Sequence, residues 1–338
     1  MKAGVFYQPR NFKIEDVPEP RVEPDGAVIK VKACGICGSD LHFYSGDRGR
    51  DGTILGHEFS GDVIEVGANV KGIKKGDRIV AMSGKGCGQC YWCKRGEVVR
   101  CQKLVLLGYG VPGAFAQYIS VPLLKLGTYS ARLPQNLTYE EGATAEPVSV
   151  ALYAVNQAQP QPEDTVVVVG LGIIGLCIIQ ILKARRITQI IASGRRAKRL
   201  KLAEECGADV VVDAAREDVT AVSNKVTSGK GADIVFDVAG STATFQQAMG
   251  MVHRGSKIEL VGLYSQPISW NPTSIVNNDI TLLGCGLHWD IPGAIDLLKS
   301  GKVNTSMLIT HEFPLERIKD AFETQMSNAD AIKVLVKP

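Results

Sequence analysis

The sequence predicts an α/β protein built from a doubly wound parallel sheet and a second, β-rich, barrel-like domain. The chain has 338 residues, about twice the usual length of a single domain. Short β-type runs broken by glycine and proline occupy the chain up to about residue 147. Beyond that point strands and helices alternate, which is typical of a parallel sheet covered by helices.

The individual elements follow from the same patterns in chain order. Five runs predict antiparallel strands in the β-rich domain: KAGVFY, GAVIKVKAC, SGDVIEVG, GDRIVAM and FAQYISV. The α/β domain opens with the strand, glycine turn and helix of TVVVVGLGIIGLCIIQILKAR. It continues through the strands QIIASG, VVVDA, GADIVFDVAG, SKIELVGL and DITLLGCG and the helices RRAKRLKLAEECGA and TATFQQAMGMV. The tail, with two helices and the strand AIKVLVKP, is expected to complete the first domain. We assign residues 1–147 and 290–338 to the β-rich domain and 148–289 to the α/β domain.

Composition and charge exclude several classes of protein. Hydrophobic residues make up 45% and charged residues 22%, which excludes a disordered chain or a coiled coil. The net charge of +3 is spread without a basic block, so we expect neither a nucleic-acid nor a membrane partner. The longest apolar run, at 166–179, is too short to span a bilayer, which takes about 20 residues. The N-terminus contains no signal-type apolar stretch, and a cytoplasmic location is expected.

Four of the nine cysteines lie close together in a glycine-rich segment at about 84–103. This crowding favours metal binding in a reducing compartment over a disulfide framework. Four thiolates at this spacing fit one closed tetrahedral site, which is typical of structural zinc. A nucleic-acid-binding zinc ribbon is the main alternative, but the segment has no recognition helix. The predicted ligands are Cys87, Cys90, Cys93 and Cys101.

A second set of residues carries the ligand types of a catalytic zinc site, which binds three protein groups and leaves one position open. It consists of Cys37, the pair His57-Glu58, and Glu146 near the change from β-rich to α/β sequence. Each residue is weak evidence alone. His57 is also compatible with an ordinary loop histidine, Cys37 with a small buried residue, and Glu146 with an acid at a helix start.

A glycine motif predicts a dinucleotide site. Gly170, Gly172 and Gly175 follow a buried strand, and Ile173 and Ile174 open the next helix. In that context the glycines let backbone amides approach a pyrophosphate, although they also permit tight helix-on-sheet packing. Later strands end at Ala239 and at Val261-Gly262, where the carboxyl edge of a sheet approaches a bound dinucleotide.

Several motifs together resemble one family. These are CGICGSDLH at 34–42, GHE at 56–58, the four-cysteine segment, AEPVSV at 145–150 and GLGIIG at 170–175. In this order they resemble the zinc-dependent medium-chain alcohol dehydrogenases, nearest the branch of sorbitol, threonine, butanediol and sugar-alcohol-phosphate dehydrogenases. The resemblance covers essentially the whole chain. It implies a GroES-like catalytic domain, a Rossmann domain, an active-site cleft where they meet, and a homodimer or homotetramer.

The resemblance also implies roles for individual residues. Cys37 and His57 are expected to bind the catalytic zinc, with Glu58 and Glu146 competing for the third position, so that each chain holds two zinc ions. Ser39 is similar to the hydroxyl that takes the substrate proton, and His42 to the outer member of that relay. A structural hydrogen bond is the alternative for His42. Zinc lowers the pKa of a bound alcohol, and the nicotinamide takes the hydride.

The substrate is a small molecule whose identity the motifs leave open. Sorbitol-type enzymes carry a neighbouring arginine and tyrosine in the segment that here reads GCGLHWDIPG, with His288 and Trp289 instead. Phe43, Tyr44, Tyr109 and Trp289 are candidates for an apolar pocket, although aromatic residues are often simply core. We therefore expect a small or hydrophobic secondary alcohol.

The strand after the glycine motif bears on the choice of cofactor. It ends in Ser193, Gly194, Arg195 and Arg196, without the acid that would bind a ribose 2′-hydroxyl. Two arginines near a helix start suit a 2′-phosphate, so the sequence predicts that NADP(H) is preferred over NAD(H). The alternative is that both arginines belong to an exposed basic helix face.

Two other functions compete with the dehydrogenase hypothesis. One is a zinc-bearing reductase of activated double bonds. The other is a non-catalytic, dinucleotide-binding redox sensor. The complete set of ligand and relay residues disfavours both.

Overall fold

The computed structural model describes residues 1–8, 10–46, 51–82 and 84–338. The chain forms two compact units, Met1–Ser149 with Trp289–Pro338 and Val150–His288. These bounds lie one or two residues from those drawn on the sequence. Among the described residues, no helix combines the length and apolar character needed to cross a membrane.

The first part of the chain is rich in short strands. The strands are β1 (Lys2–Tyr7), β2 (Asn11–Asp16), β3 (Ala27–Gly35), β4 (Thr53–Ile54), β5 (Glu58–Val66), β6 (Arg78–Ala81), β7 (Gly84–Lys85), β8 (Val105–Leu107), β9 (Gly110–Val111), β10 (Tyr118–Val121) and β11 (Ser130–Arg132). The helices are α1 (Gly38–Tyr44), α2 (Tyr91–Lys94), α3 (Tyr139–Ala143) and α4 (Ala145–Ala158).

The second unit alternates strands and helices as predicted. Its strands are β12 (Thr165–Val169), β13 (Gln189–Gly194), β14 (Val210–Asp213), β15 (Ala232–Asp237), β16 (Val252–Leu260) and β17 (Thr281–Gly284). Its helices are α5 (Ile173–Ala184), α6 (Ala197–Glu205), α7 (Val219–Val226), α8 (Thr242–Met251) and α9 (Thr273–Asn278). The chain then returns to the first unit through α10 (Ile291–Lys299), β18 (Ile309–Pro314), α11 (Ile318–Ser327) and β19 (Lys333–Lys337).

The main sheet of the first unit combines strands from the first 132 residues with the last two strands of the chain. Its strand order is β11-β6-β5-β3-β19-β18, and β10 also pairs with β3. The predicted antiparallel pairing is confirmed between β3 and β5, where Gly35 lies opposite Glu58, and between β3 and β19. β18 and β19 are parallel, because α11 connects them as a crossover helix. β18 itself, ITHEFP, was not predicted, since its polar residues weaken the strand pattern.

Aromatic side chains form much of the core of the first unit. Phe12 lies 4.7 Å from Phe322 and 5.7 Å from Tyr44, measured between ring centroids. Tyr44 is fully buried, and its hydroxyl donates to Glu323 at 2.8 Å. The suggestion that Tyr44 lines a substrate pocket is therefore wrong, and the alternative, a core residue, is right.

The second unit is a doubly wound sheet. All five strand pairings in the order β14-β13-β12-β15-β16-β17 are parallel. The valines at 166–169 in the central strand β12 are all buried, as expected where helices cover both faces. The carboxyl edge of this sheet is where the glycine turn before α5 lies.

Candidate functional site

Three of the predicted catalytic ligands come together in the first unit. Ligand atoms of Cys37, His57 and Glu58 all lie within 4.8 Å of one another. A tetrahedral zinc with bonds of 2.0–2.3 Å holds its ligand atoms roughly 3.3–3.8 Å apart, so small side-chain shifts bring this set into range. A thiol, an imidazole and a carboxylate also match zinc chemically.

Strand pairing explains why these distant residues meet. β3 ends at Gly35 opposite Glu58, the first residue of β5, and Cys37 follows as the N-cap of α1. Gly56 has φ +95°, and a Cβ there would lie 2.9 Å from the sulfur of Cys34. Glycine is thus required both for the turn and for the close packing that brings His57 beside Cys37.

The electrostatic environment at His57 favours a cation. Burial opposes a charged imidazole, but the negative charges of Cys37 and Asp40 outweigh it and raise the pKa of His57 well above 6.5. The same field that favours a bound proton favours a bound metal ion. This agrees with the donor set, so the residues present fit a zinc ion.

Asp40 is an organising residue that the sequence analysis missed. It is fully buried, accepts a hydrogen bond from the backbone N–H of Cys37 at 3.0 Å, and lies 3.8 Å from Nδ1 of His57. Burial raises its pKa, while the His57 charge and the Cys37 N–H act in the opposite direction. The signal for Asp40 was present: an acid three residues after a helix N-cap is the capping-box spacing.

Glu58 is held by a buried ion pair. The ammonium group of Lys333, on β19, contacts Oε2 of Glu58 and donates to the carbonyl of Ile36 at 2.9 Å. Both charged side chains are only 2% exposed. A Cβ on Gly35 would overlap the Glu58 carboxylate. With Oε2 directed at Lys333, the other carboxylate oxygen is the one left for a metal.

Removing Lys333 should destabilise the protein strongly, because Glu58 would remain buried without its counter-charge. We expect Lys333→Met to lower the free energy of unfolding by about 3–5 kcal/mol. The matched control is Lys337→Met on the same strand, where the lysine pairs with Glu140 and Glu312 in a more exposed setting. That variant should lose less than about 1 kcal/mol. Equal losses in urea unfolding of the metal-free proteins would contradict the prediction.

Glu146 lies in the first turn of α4 and is buried. It is outside the set of three ligand atoms described above. Burial and the charges of Glu58 and Asp40 raise its pKa to about 7, while His57 and Lys333 lower it. Its carboxyl group is therefore close enough to feel the charges of the cluster. The geometry favours Glu58 over Glu146 as the third direct ligand.

The predicted relay residues occupy one short helix. Ser39 and His42 are three residues apart on α1, which places them on the same side of that helix. The hydroxyl of Tyr109 lies 2.7 Å from Oγ of Ser39. The sequence suggests Tyr109 as an apolar pocket residue or a core residue, so this polar contact is a finding of the structure.

The four cysteines of the predicted structural site converge. Ligand sulfurs of Cys87, Cys90, Cys93 and Cys101 lie within 4.8 Å of one another, and all four thiols are free. Backbone N–H groups donate to two of the sulfurs, from Cys87 to Cys101 at 3.3 Å and from Cys93 to Cys90 at 3.5 Å. Such bonds stabilise thiolates, and backbone donors lower the pKa of Cys87 to about 6. Burial raises that of Cys93 to about 12. The arrangement fits a closed tetrahedral zinc site.

The glycine turn of the second unit has the geometry of a phosphate-binding loop. Gly172 is the N-cap of α5, so the backbone amides of Ile173 and Ile174 stand in the first turn. Gly170 has φ +103°, and its N–H donates to the carbonyl of Ser193 at 3.0 Å. A Cβ on Gly175 would overlap the carbonyl of Gly170. The three glycines thus provide the turn and the close helix packing.

Asp237, which the sequence analysis missed, connects the loop at Ala239 with the loop at Val261-Gly262 by hydrogen bonds. It is fully buried and accepts from the N–H groups of Ala239 and Gly240, both at 3.1 Å. Its other oxygen accepts from the hydroxyl of Tyr264 at 2.5 Å, just beyond Val261 and Gly262. Both loops are therefore held at the carboxyl edge of the sheet.

A basic pocket of about 350 Å³ adjoins the glycine turn. Ser193, Gly194, Arg195 and Arg196 line it, as does Arg199, whose role the sequence analysis did not foresee. Arg199 is three residues beyond Arg196, the N-cap of α6, and therefore on the same helix face. Burial and the charge of Arg196 lower the pKa of Arg199 to about 10. Among its lining residues there is no acid, so a bound anion would relieve this repulsion.

Trp289 and His288, in the segment GCGLHWDIPG, each pack against a tyrosine ring. Trp289 is 4% exposed and packs edge-on against Tyr129 with 5.8 Å between centroids. Its role in an apolar pocket stays a prediction. His288 stacks on Tyr153 at 4.1 Å.

Comparison with known proteins agrees with the fold and with the family that the motifs resemble. Residues 23–128 match the family model "Alcohol dehydrogenase GroES-like domain", and residues 174–300 match "Zinc-binding dehydrogenase". The chain is 36% identical to a sorbitol dehydrogenase of Bacillus subtilis, covering 100% of this chain and 97% of the relative. It is 34% identical to the (R,R)-butanediol dehydrogenase of the same organism, with complete coverage of both.

A solved structure extends this likeness to three dimensions. A protein from Sinorhizobium meliloti, assigned as a zinc-binding dehydrogenase and crystallised with NADP, has a TM-score of 0.92. It is 31% identical over 100% of this chain and 99% of that one. The chain belongs to the zinc-dependent medium-chain alcohol dehydrogenases. Within the family it falls in the sugar-alcohol branch, and it is an oxidoreductase acting between alcohols and ketones.

Proposed function

We propose that this protein interconverts a secondary alcohol, diols and polyols included, and a ketone by hydride transfer to or from NADP(H), using one of two bound zinc ions. The observation that carries the proposal is the cluster of Cys37, His57 and Glu58, since ligand atoms of a thiol, an imidazole and a carboxylate lie within 4.8 Å of one another. A structural zinc would occupy the four-cysteine site. A homodimer or homotetramer remains our prediction, to be measured by light scattering.

Each residue of the site has a proposed task. Cys37, His57 and Glu58 would hold the catalytic zinc, whose Lewis acidity favours loss of the alcohol proton. Asp40 and Lys333 orient His57 and Glu58 by the contacts described above. Ser39 accepts the substrate proton and passes its own hydrogen towards His42. Glu146 would lie near the metal, where a bound cation would favour its charged form.

The dinucleotide would be bound by the second unit. Its pyrophosphate fits the first turn of α5, where N–H groups of Ile173 and Ile174 are available as donors. The loops at Ala239 and at Val261-Gly262, joined by Asp237, would contact the rest of the cofactor. The bound nicotinamide accepts or supplies the hydride.

A substrate panel tests this proposal directly. Steady-state turnover is measured on secondary alcohols, diols, polyols, amino alcohols, the matching ketones and enones, with both cofactors. We expect activity on alcohols and ketones that is lost when the catalytic metal is removed. Turnover of enones alone would establish the double-bond reductase, and tight cofactor binding without any turnover would establish the redox sensor.

The basic pocket supports a preference for NADP(H). A charge-assisted hydrogen bond contributes about 1.5–3 kcal/mol, so kcat/KM for NADP⁺ should exceed that for NAD⁺ by about tenfold to a hundredfold. Arg196→Ala should remove most of this difference by lowering the value for NADP⁺ alone. Lys201→Ala is the control, because this lysine lies on the same helix, α6, but outside the pocket. Wild-type kcat/KM for NAD⁺ equal to or above that for NADP⁺ would refute the preference.

A further inference from the structure

The hydroxyl of Tyr109 lies between two residues that flank the predicted metal site. Its oxygen is 2.7 Å from Oγ of Ser39 and 3.2 Å from Oδ1 of Asp40. The ring lies 5.4 Å from the ring of His57 and 4.7 Å from that of Phe43. The hydroxyl of Tyr109 therefore contacts Ser39 of the predicted proton relay, while its ring lies beside the predicted zinc ligand His57.

The backbone around Tyr109 keeps this hydroxyl in place. Tyr109 closes the turn between β8 and β9, where its N–H donates to the carbonyl of Leu106 at 2.9 Å. Gly108 in that turn has φ +77°, and a Cβ there would lie 3.2 Å from the backbone nitrogen of Gly56. The turn thus packs directly against the residue before His57, so the phenol is positioned by backbone contacts as well as by its ring.

The contact from Tyr109 limits which hydrogen bonds the hydroxyl of Ser39 can still make. A serine hydroxyl has one hydrogen and two acceptor lone pairs. Tyr109 has a single hydroxyl hydrogen, and its contact with Ser39 at 2.7 Å is shorter than that with Asp40 at 3.2 Å, so we assign the hydrogen to Ser39. This donation occupies one lone pair. The remaining lone pair can then receive the substrate proton. The hydrogen of Ser39 can be passed on to the next residue of the relay. Without Tyr109, the hydroxyl of Ser39 can rotate among several arrangements, and only some of them connect the substrate to His42.

We propose that Tyr109 is a positioning residue for proton transfer, acting by donating a hydrogen bond that fixes the hydroxyl orientation of Ser39. This inference rests on the proposed alcohol–ketone function. In alcohol oxidation the substrate O–H bond breaks and a new O–H bond forms on Ser39, while the original hydrogen of Ser39 passes to His42. The hydride goes from the substrate carbon to the oxidised nicotinamide. Reduction reverses each transfer, and Tyr109 keeps its own hydrogen throughout.

The Tyr109→Phe variant tests the role of the hydroxyl, because it keeps the ring. We expect kcat to fall by about 10- to 100-fold in both directions, a part of the 10²–10⁴-fold that positioned proton transfer contributes. KM for substrate and cofactor and the zinc content should change less than about twofold, since the ligand side chains are unchanged and Asp40, although it loses the contact with Tyr109, keeps its hydrogen bond from the N–H of Cys37. The solvent deuterium isotope effect on kcat should rise, because proton transfer becomes slower relative to the other steps.

A double-mutant cycle with Ser39→Ala separates positioning from a general structural effect. If Tyr109 acts through Ser39, the Tyr109→Phe substitution should have no further effect on kcat once Ser39 is alanine. A crystal structure of Tyr109→Phe gives a readout independent of turnover, and we expect the Ser39 side chain there to occupy more than one rotamer. The matched control is Tyr129→Phe, which removes a hydroxyl that donates to Gly96 at 3.1 Å in the same unit.

The outcomes distinguish this inference from the proposed function. An active wild type with Tyr109→Phe equal to Tyr129→Phe in kcat would overturn the role of Tyr109 alone. Additive losses in the double variant, or a lower kcat with an unchanged isotope effect, would do the same. A wild type inactive on every alcohol and ketone would overturn the proposed function and this inference together.

Discussion

Replacing Cys37 by serine is expected to lower kcat/KM by at least about a thousandfold while leaving the fold intact. A serine hydroxyl stays protonated near neutral pH and is a poor zinc ligand, whereas the thiolate is a strong one. Metal-assisted charge stabilisation contributes several kcal/mol to such reactions, and each 1.36 kcal/mol corresponds to a tenfold change in rate. Because Cys37 is a helix N-cap outside the sheet, its loss should move the unfolding temperature little.

Zinc analysis of the purified protein makes this test specific. We expect two zinc ions per chain in the wild type and one in Cys37→Ser. The control is Cys206→Ser, a buried free thiol in the second unit, which should keep both ions and full turnover. A Cys37→Ser protein that retains two zinc ions and wild-type kcat/KM would show that Cys37 is not a ligand of the catalytic metal.

Replacing Cys93 by serine should act on stability. Zinc contributes on the order of 10 kcal/mol to the folding of small zinc domains, and a share of that is at stake in the segment at 84–103. Gly86, whose added Cβ would lie 2.6 Å from the sulfur of Cys93, shows how tightly this loop is wrapped around the four thiols. We expect one zinc per chain, rapid proteolysis between Cys87 and Cys101, and a lower unfolding temperature.

Treating the wild type with a chelator that removes the structural zinc should reproduce this pattern of cleavage. Resistance of the Cys93→Ser segment to protease, together with a zinc content of two, would contradict a structural role for this site. The two cysteine variants should therefore differ in what they lose. Cys37→Ser should lose turnover, and Cys93→Ser should lose local order.

The features predicted well from the sequence are those encoded within a short segment. The glycine turn between β12 and α5 and the four-cysteine spacing each depend on residues that are near neighbours in the chain. Their geometry is set by turn chemistry and ligand spacing, which a single sequence contains. The parallel sheet of the second unit was predictable for a similar reason, because strand and helix patterns alternate regularly.

The features missed depend on partners that no local pattern identifies. Lys333 stands in an apolar strand, but only strand pairing shows that it faces Glu58. The sequence suggests an apolar role for Tyr109, because it does not show which polar groups the tyrosine hydroxyl will contact in the folded chain. The sequence alone makes Tyr44 a candidate pocket residue, but helix α1 places it in the core. In each case the deciding contact joins segments far apart in the chain.

The Glu58–Lys333 pair has a consequence for how the protein is made. The contact closes a loop of 275 residues, and β19 inserts between β3 and β18 in the main sheet of the first unit. A nascent polypeptide that stops short of Lys333 contains Cys37, His57 and Glu58 but lacks the buried counter-charge for the carboxylate. Long-range pairing of this kind is slow to form. Catalytic zinc loading should therefore follow translation of Lys333, whereas the four-cysteine segment can capture its ion as soon as Cys101 leaves the ribosome.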